Sequence, residues 1–153
     1  MCLMRAVFLA AIIPKTGPEI VSLHPEGFLS EDEFEELSLK CMPIASKEGD
    51  FSSIVFNGYQ VAGYLASTPP IDVEQDSRDT IVSIGFILDT YANPIPYRNM
   101  LVEFVDKCSN RDGFTLTNLK KIIPEFLRFK DEEKITIKLD EDFVCELSLS
   151  NSD

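Results

Sequence analysis

The chain has 153 residues, a mass of 17.2 kDa and a formal net charge of −12. This length fits one domain, which can bury about 70% of the surface that its unfolded chain exposes and needs no disulfide or metal for stability. The negative charge repels phosphate backbones and anionic lipid headgroups. We therefore expect no nucleic acid and no membrane lipid as partners, and a protein with a basic patch is favoured instead.

Cysteine usage and the apolar start of the chain indicate the compartment. The four cysteines lie far apart and include no CxxC pair: Cys2, Cys41, Cys108 and Cys145. Each stands among apolar residues, which favours buried free thiols in a reducing compartment over disulfides or zinc ligands. The apolar run Met1–Ile13 contains Arg5 and lacks the basic start and cleavage site of a signal peptide. No run approaches the roughly 18 apolar residues of a membrane span, so we predict a cytoplasmic protein with no direct membrane span.

The first two strands and the helix after them are predicted from local patterns. Leu3–Ile13 is a near-continuous apolar run typical of a strand buried on both faces, and Glu19–Leu23 alternates as the second arm of a hairpin. Ser30 and Glu33 form a capping box, in which each side chain accepts a hydrogen bond from the other residue's backbone N–H. Apolar residues at helical spacing continue towards Pro43, which ends the helix.

Three further strands are predicted next. Phe51–Phe56 and Tyr59–Ser67 flank Asn57-Gly58, a pair that favours a type I′ turn and therefore a hairpin. Thr68–Asp79 is a polar loop with two prolines and several acids. Thr80–Leu88 is a strongly apolar strand, which we place at the centre of the sheet. The order of elements to this point is β-β-α-β-β-β.

The last third of the chain predicts two helices and a second hairpin. Asn93–Pro96 supplies a cap and a proline-containing start for one apolar stripe, and Thr115 caps a second stripe, in which Pro124 ends or kinks the helix. Lys134–Leu139 and Phe143–Leu149 alternate apolar and polar residues, which indicates a terminal hairpin. This hairpin either extends the main sheet or pairs with another molecule.

The element order β-β-α-β-β-β-α-α and several short motifs resemble the longin family. Gly17–Val21 (GPEIV), Pro25-Glu26, the helix end Met42-Pro43 and Gly49–Phe51 (GDF) before a strand resemble the opening of free-standing archaeal longin proteins. They are also similar to the longin-like N-terminal part of DENN modules. The resemblance covers about residues 3–127.

This resemblance implies an α/β fold of the α+β type. Longin domains have a five-stranded antiparallel sheet with one helix on one face and two on the other. The C-terminal β-hairpin is an addition to that fold. We therefore divide the chain into a longin-like domain, residues 1–130, and a hairpin extension, residues 131–153, which packs on the same domain or pairs from it.

The resemblance also implies a class of function. Longin domains bind proteins, including small Ras-like GTPases, SNARE helices and other longin or roadblock domains, and many form dimers. No heptad-repeat helix follows the domain here, so we expect a protein other than a vesicle SNARE. The implied function is a non-catalytic scaffold or adaptor in a trafficking-type complex. Its partner would be a small GTPase or a longin or roadblock domain, in a homodimer or heterodimer.

The residue inventory favours no catalytic, metal or cofactor site. His24 is the only histidine, so no Ser/His or Cys/His motif is recognisable, and no histidine or cysteine pair has metal-ligand spacing. Asp140–Asp142 lacks the glycine of an EF-hand loop, and the chain has no P-loop or GxGxxG motif. We predict a chain without enzyme activity or cofactor, whose acidic clusters are solvated surface rather than docking sites.

Aromatic residues outside the predicted core are the first candidates for partner contact. Four of them stand at turns or helix starts: Phe28, Tyr59, Tyr91 and Tyr97. The terminal hairpin supplies three further candidates: Ile135, Ile137 and Phe143. Capping of the core is the competing explanation for the aromatic residues.

Two other classes of function stay open. A sheet-and-helix domain can hold a small molecule between its layers, with Thr68–Asp79 as a lid, and a thermal-shift screen would detect such a ligand. A carboxylate-based hydrolase would need two acids that converge in a pocket.

Overall fold

Seven strands and four helical segments make up the described part of the chain, in a computed structural model that describes residues 4–13, 16–41, 49–70 and 79–149. The strands are β1 (Met4–Ile13), β2 (Gly17–His24), β3 (Phe51–Phe56), β4 (Tyr59–Thr68), β5 (Thr80–Leu88), β6 (Lys134–Asp140) and β7 (Phe143–Ser148). The helices are α1 (Glu31–Cys41), α2 (Ile95–Cys108) and α3 (Leu116–Ile122), and a 3-10 helix (Ile123–Lys130) follows α3 directly. Three sequence predictions fall outside the described residues: the helix end at Pro43, most of the loop Thr68–Asp79, and the burial of Cys2.

Five antiparallel strands form the main sheet in the order β2-β1-β5-β4-β3. β5 lies at its centre, as predicted, and Val82–Leu88 is buried throughout. β1 and β4 flank β5, and β2 and β3 are the two edges. The predicted α+β class, the five-stranded antiparallel sheet, the three helices and the terminal hairpin are confirmed.

Helices cover both faces of this sheet, which explains the near-continuous apolar sequences of β1 and β5. On one face, Leu37 and Cys41 of α1 belong to the same buried cluster as Phe8 and Ile87 of the sheet. On the other face, α2, α3 and the 3-10 helix share a larger cluster with the remaining inward residues. On this second face, α2 and the 3-10 helix make the main contacts with the five-stranded sheet, and α3 packs on the 3-10 helix and β6.

The terminal hairpin forms a separate two-stranded sheet, β6 with β7, and does not extend the main sheet. Every second residue of β6 and β7 points inward, and these residues are buried except for Phe143, which is half-buried. These inward side chains belong to the cluster that also contains α2, α3 and the 3-10 helix. The hairpin thus packs on the outer side of the helices, and the helices are covered by sheet on two sides.

The predicted caps of α1 and α3 and the break at Pro124 agree with the local geometry, whereas the N-cap of α2 is Pro94, which makes no side-chain cap hydrogen bond. The Ser30 N–H donates to Glu33 Oε1 at 2.8 Å, and the Glu33 N–H donates to Ser30 Oγ at 3.3 Å, which completes the capping box before α1. Thr115 Oγ1 accepts from the Asn118 N–H at 3.2 Å at the start of α3. α3 ends at Ile122, two residues before Pro124, because proline has no N–H to continue the α-helix, and the chain goes on as a 3-10 helix.

Gly85 is the point at which the central strand tolerates no side chain. Phe8 of β1 stands directly opposite Gly85 of β5, and a Cβ on Gly85 would overlap the Phe8 ring. We expect Gly85→Ala to lower the free energy of unfolding by about 1–3 kcal/mol, the cost of overpacking a core, in urea unfolding monitored by circular dichroism.

Gly63 of β4 is the matched control, because it pairs with Gly85 in the sheet. A Cβ on Gly63 would lie 3.1 Å from the hydroxyl oxygens of Ser52 and Ser83. These hydroxyls can rotate away, so Gly63→Ala should cost clearly less than Gly85→Ala. Equal losses in the two variants would contradict the role assigned to the Phe8 ring.

Candidate protein-binding surfaces

Phe28 and Tyr59 are two predicted contact residues that the fold brings together. Phe28 precedes α1 and Tyr59 begins β4, and their ring centroids lie 5.4 Å apart at an interplanar angle of 52°. Both side chains are half-buried and pack against the α1 side of the core. A tilted aromatic pair of this kind stabilises the end of the core and leaves only part of each ring for a partner.

The Asn57-Gly58 turn beside this pair is hydrogen-bonded to Glu33 of α1 and to Thr90, which follows β5. Its residues have φ values of 51° and 81°, as a type I′ turn requires, so the predicted hairpin is confirmed. The Asn57 amide donates to the Glu33 carboxylate, and the Thr90 hydroxyl donates to the Gly58 carbonyl. Hydrogen bonds to the Glu33 carboxylate, first from the backbone of Ser30 and also from its hydroxyl and from Asn57, lower the pKa of Glu33.

The other two predicted tyrosines have opposite environments. Tyr91 follows β5 in a turn and is 98% exposed. Tyr97 lies in the first turn of α2, faces the sheet and is 5% exposed, with its ring 5.5 Å from that of Phe86. Tyr91 is therefore available to a partner, whereas Tyr97 is a core residue in this structure.

The hairpin candidates lie mostly on its inner face. Ile135 and Ile137 are buried in the core shared with α2 and α3. Phe143 is half-buried, and the Arg111 guanidinium lies 4.0 Å from its ring centroid, a cation–π contact. The outer face of the hairpin presents polar residues and Val144, which is 55% exposed. The alternating sequence identified two faces of the hairpin, and the packing decides which of them is exposed.

A further exposed surface, mostly apolar, was anticipated from the sequence only at Tyr91. We call it the β3 surface: Phe51, Val55, Tyr91, Ile95 and Arg98. Val55 is 64% exposed and Ile95 is 46% exposed, and the Arg98 guanidinium lies 5.7 Å from the Phe51 ring centroid.

Strand register places these residues at one side of the molecule. Val55 stands opposite Gln60, and Gln60 stands opposite Leu88 at the end of β5, from which the chain leads to Tyr91 and α2. Exposure at an edge strand depends on strand order, which the sequence alone does not supply.

The only histidine lies beside a serine on β2. Ser22 Oγ is 3.0 Å from His24 Nε2, a contact that follows because residues i and i+2 of a strand share a face. Catalytic use of such a pair needs a third group that orients the imidazole. Within the described ranges, no carboxylate is hydrogen-bonded to His24.

The described cysteines are free and buried, as predicted for Cys41, Cys108 and Cys145. Burial raises the pKa of the Cys41 and Cys108 thiols to about 12 each, and it also raises the pKa of Cys145. Cys108 and Cys145 belong to the same buried cluster, where α2 packs against β7. Among the residues that the structure describes, no group of three His, Cys, Asp or Glu side chains is arranged to hold a metal ion.

Comparison with protein-family models gives no match for this chain, and comparison with curated proteins gives none either. Across the described ranges, none of the helices has both the length and the apolar character that crossing a membrane requires.

The buried thiols predict slow chemical modification of the folded protein. The thiolate is the form that attacks disulfide reagents, and a raised pKa keeps the described thiols protonated near pH 8. We expect a Cys2→Ser variant to react slowly with Ellman's reagent when folded and at all three remaining thiols when unfolded in guanidinium. Fast reaction of the folded variant would contradict the burial of these residues.

The lowered pKa of Glu33 predicts that this residue contributes to the loss of stability at acid pH. Because its pKa is lowered in the folded state, its contribution to stability is present above the unfolded pKa of about 4.3 and is lost as the pH falls through the lowered folded value. Glu33→Gln keeps an acceptor oxygen but removes the charge, so the drop in the free energy of unfolding between about pH 7 and pH 3 should become smaller.

The control for this measurement is Glu31→Gln. This change removes a charge from the same helical turn but none of the described hydrogen bonds. An equal change in both variants would mean that total charge, and not the capping box, sets the acid sensitivity.

Proposed function

We propose that this chain is a non-catalytic protein-binding module of the longin type, which pairs through its β3 surface with a second longin or roadblock domain, in the first instance its own copy. The observation that carries the proposal is an edge strand with no charge and no proline of its own: β3 has the sequence FSSIVF.

Edge strands expose unpaired backbone N–H and C=O groups, and proteins usually protect them with lysine, proline, bulges or a covering segment. β3 pairs with β4 on one side, and no described strand lies on its other side. Val55 adds an exposed apolar side chain on the face that α2 leaves open. A partner strand would satisfy the backbone groups and cover this side chain together.

The surroundings of β3 suit an acidic chain that pairs with itself. The β3 strand contributes no charge, and Arg98 on the neighbouring helix is cationic. The net charge of −12 therefore places no carboxylate within β3 itself; Asp50 precedes the strand, and the Glu33 carboxylate accepts from Asn57 directly after it. The five-stranded sheet with helices on both faces supports the longin resemblance, and with it a role as scaffold or adaptor in a cytoplasmic, trafficking-type complex.

The mass in solution tests this proposal. We expect light scattering to give twice the 17.2 kDa of the chain, and Val55→Lys to return the protein to a single copy, because the ammonium group cannot be buried in the new sheet. Val144→Lys is the matched control, since it changes a valine of similar exposure on another strand, and it should keep the parent mass.

Two results decide the partner class. If the parent protein is monomeric but binds a Ras-like GTPase and Val55→Lys abolishes that binding, the partner of the β3 surface is the GTPase. A monomer that binds neither a GTPase nor a longin or roadblock domain would overturn the proposal.

A further inference from the structure

An elongated groove runs along the opposite edge of the sheet, beside β2, and is lined by α1 and by Lys120 of α3. It consists of a section of about 580 Å³ and an adjoining section of about 270 Å³. The two sections share Ile20, Val21 and Phe34, so they form one continuous channel from Thr16 to His24. The side chains of Ile20 and Phe34 are half-buried on the α1 side of the sheet and give the groove an apolar floor, whereas the Val21 side chain packs on the opposite face. We call this channel the β2 groove.

The rim of the β2 groove is acidic. Four carboxylates line it, Glu19, Glu26, Glu31 and Glu35, against one ammonium group, Lys120. None of the four forms an ion pair with a residue in the described ranges. On the outer turns of the same helix, in contrast, Glu36 is paired with Lys40 at 3.2 Å. The charge of the rim is therefore left available to a partner.

The backbone of β2 limits what can bind there. β2 pairs with β1 only, so its other edge is open among the described strands. Pro18 has no N–H to donate, and Val21 is a bulge, because Leu9 pairs with Ser22 and Ala10 pairs with Ile20. An uncharged strand would gain few ladder hydrogen bonds along such an edge. A cationic segment would gain contacts with the carboxylates in addition.

We propose that the β2 groove binds an extended, lysine- or arginine-rich segment of another protein, with an apolar side chain on the floor and cationic side chains against the acidic rim. The eight residues of β2 span about 26 Å at 3.3 Å per residue, so they can accommodate a segment of similar length. A second copy of this chain fits poorly, because each copy carries a net charge of −12 and the groove itself is negative. The proposal is independent of the β3 surface, which lies at the other edge of the sheet.

A synthetic peptide tests this inference. The probe is an eight-residue peptide, blocked at both ends, in which lysine and valine alternate. Titration into isotope-labelled protein should give saturable chemical-shift changes that are confined to β2, α1 and the surroundings of Lys120. A peptide with glutamate in place of lysine should give none. The same titration on Val55→Lys should give the same result, which separates this site from any pairing through β3.

Two charge-matched variants identify the groove as the site. Glu19→Gln with Glu35→Gln removes two rim charges and should weaken peptide binding by about tenfold, as expected for the loss of two exposed ion pairs. Glu133→Gln with Asp142→Asn removes two exposed charges near the terminal hairpin, outside the groove, and should leave the affinity unchanged.

Three results would overturn the proposal. The first is the absence of shift changes in β2 and α1. The second is an equal loss of affinity in both double variants, which would mean attraction by total charge alone. The third is a concentration-dependent shift of Ile20 and Val21 without peptide, which would place a second copy of the chain in the groove.

Discussion

Burial of both faces of the central strand is the constraint on which the rest of this structure depends. β5 is paired with β1 and β4 and is covered by α1 on one side and by α2 and the 3-10 helix on the other. A strand in this position contributes apolar side chains to two separate cores. The absence of a side chain at Gly85 is part of the same constraint, because the Phe8 ring occupies that space.

The two-sided cover also determines where the molecule can meet a partner. Helices occupy the faces of the sheet, and the terminal hairpin covers the outer side of the helices. Within the described ranges, this leaves the two edge strands as the openings in the main sheet. They differ in chemistry: β3 is uncharged, whereas β2 carries Pro18 and a bulge beside an acidic groove.

Local signals in the sequence predicted the elements well, because their causes are local. The Ser30–Glu33 capping box, the Asn57-Gly58 turn and Thr115 each act within a few residues of the chain. Exposure could not be predicted in the same way. Tyr91 and Tyr97 lie six residues apart, yet Tyr91 is exposed and Tyr97 is buried. This difference depends on which side of α2 faces the sheet, and the local sequence does not determine that. Prediction of the β3 surface and the β2 groove requires knowledge of the strand order, which is set by contacts between residues distant in sequence.

The difference between the two edges has a consequence for assembly. Pairing of β3 with β3 of a second copy is isologous and closes, whereas pairing of β2 with β3 would be heterologous and could grow into an open chain of molecules. Pro18 and the bulge at Val21 remove the regular ladder that β3 would need from β2. The carboxylates of the β2 groove cannot form ion pairs with β3, because its sequence FSSIVF contains no cation. The chemistry that makes β2 selective for a basic segment thus also protects the protein against unlimited self-association.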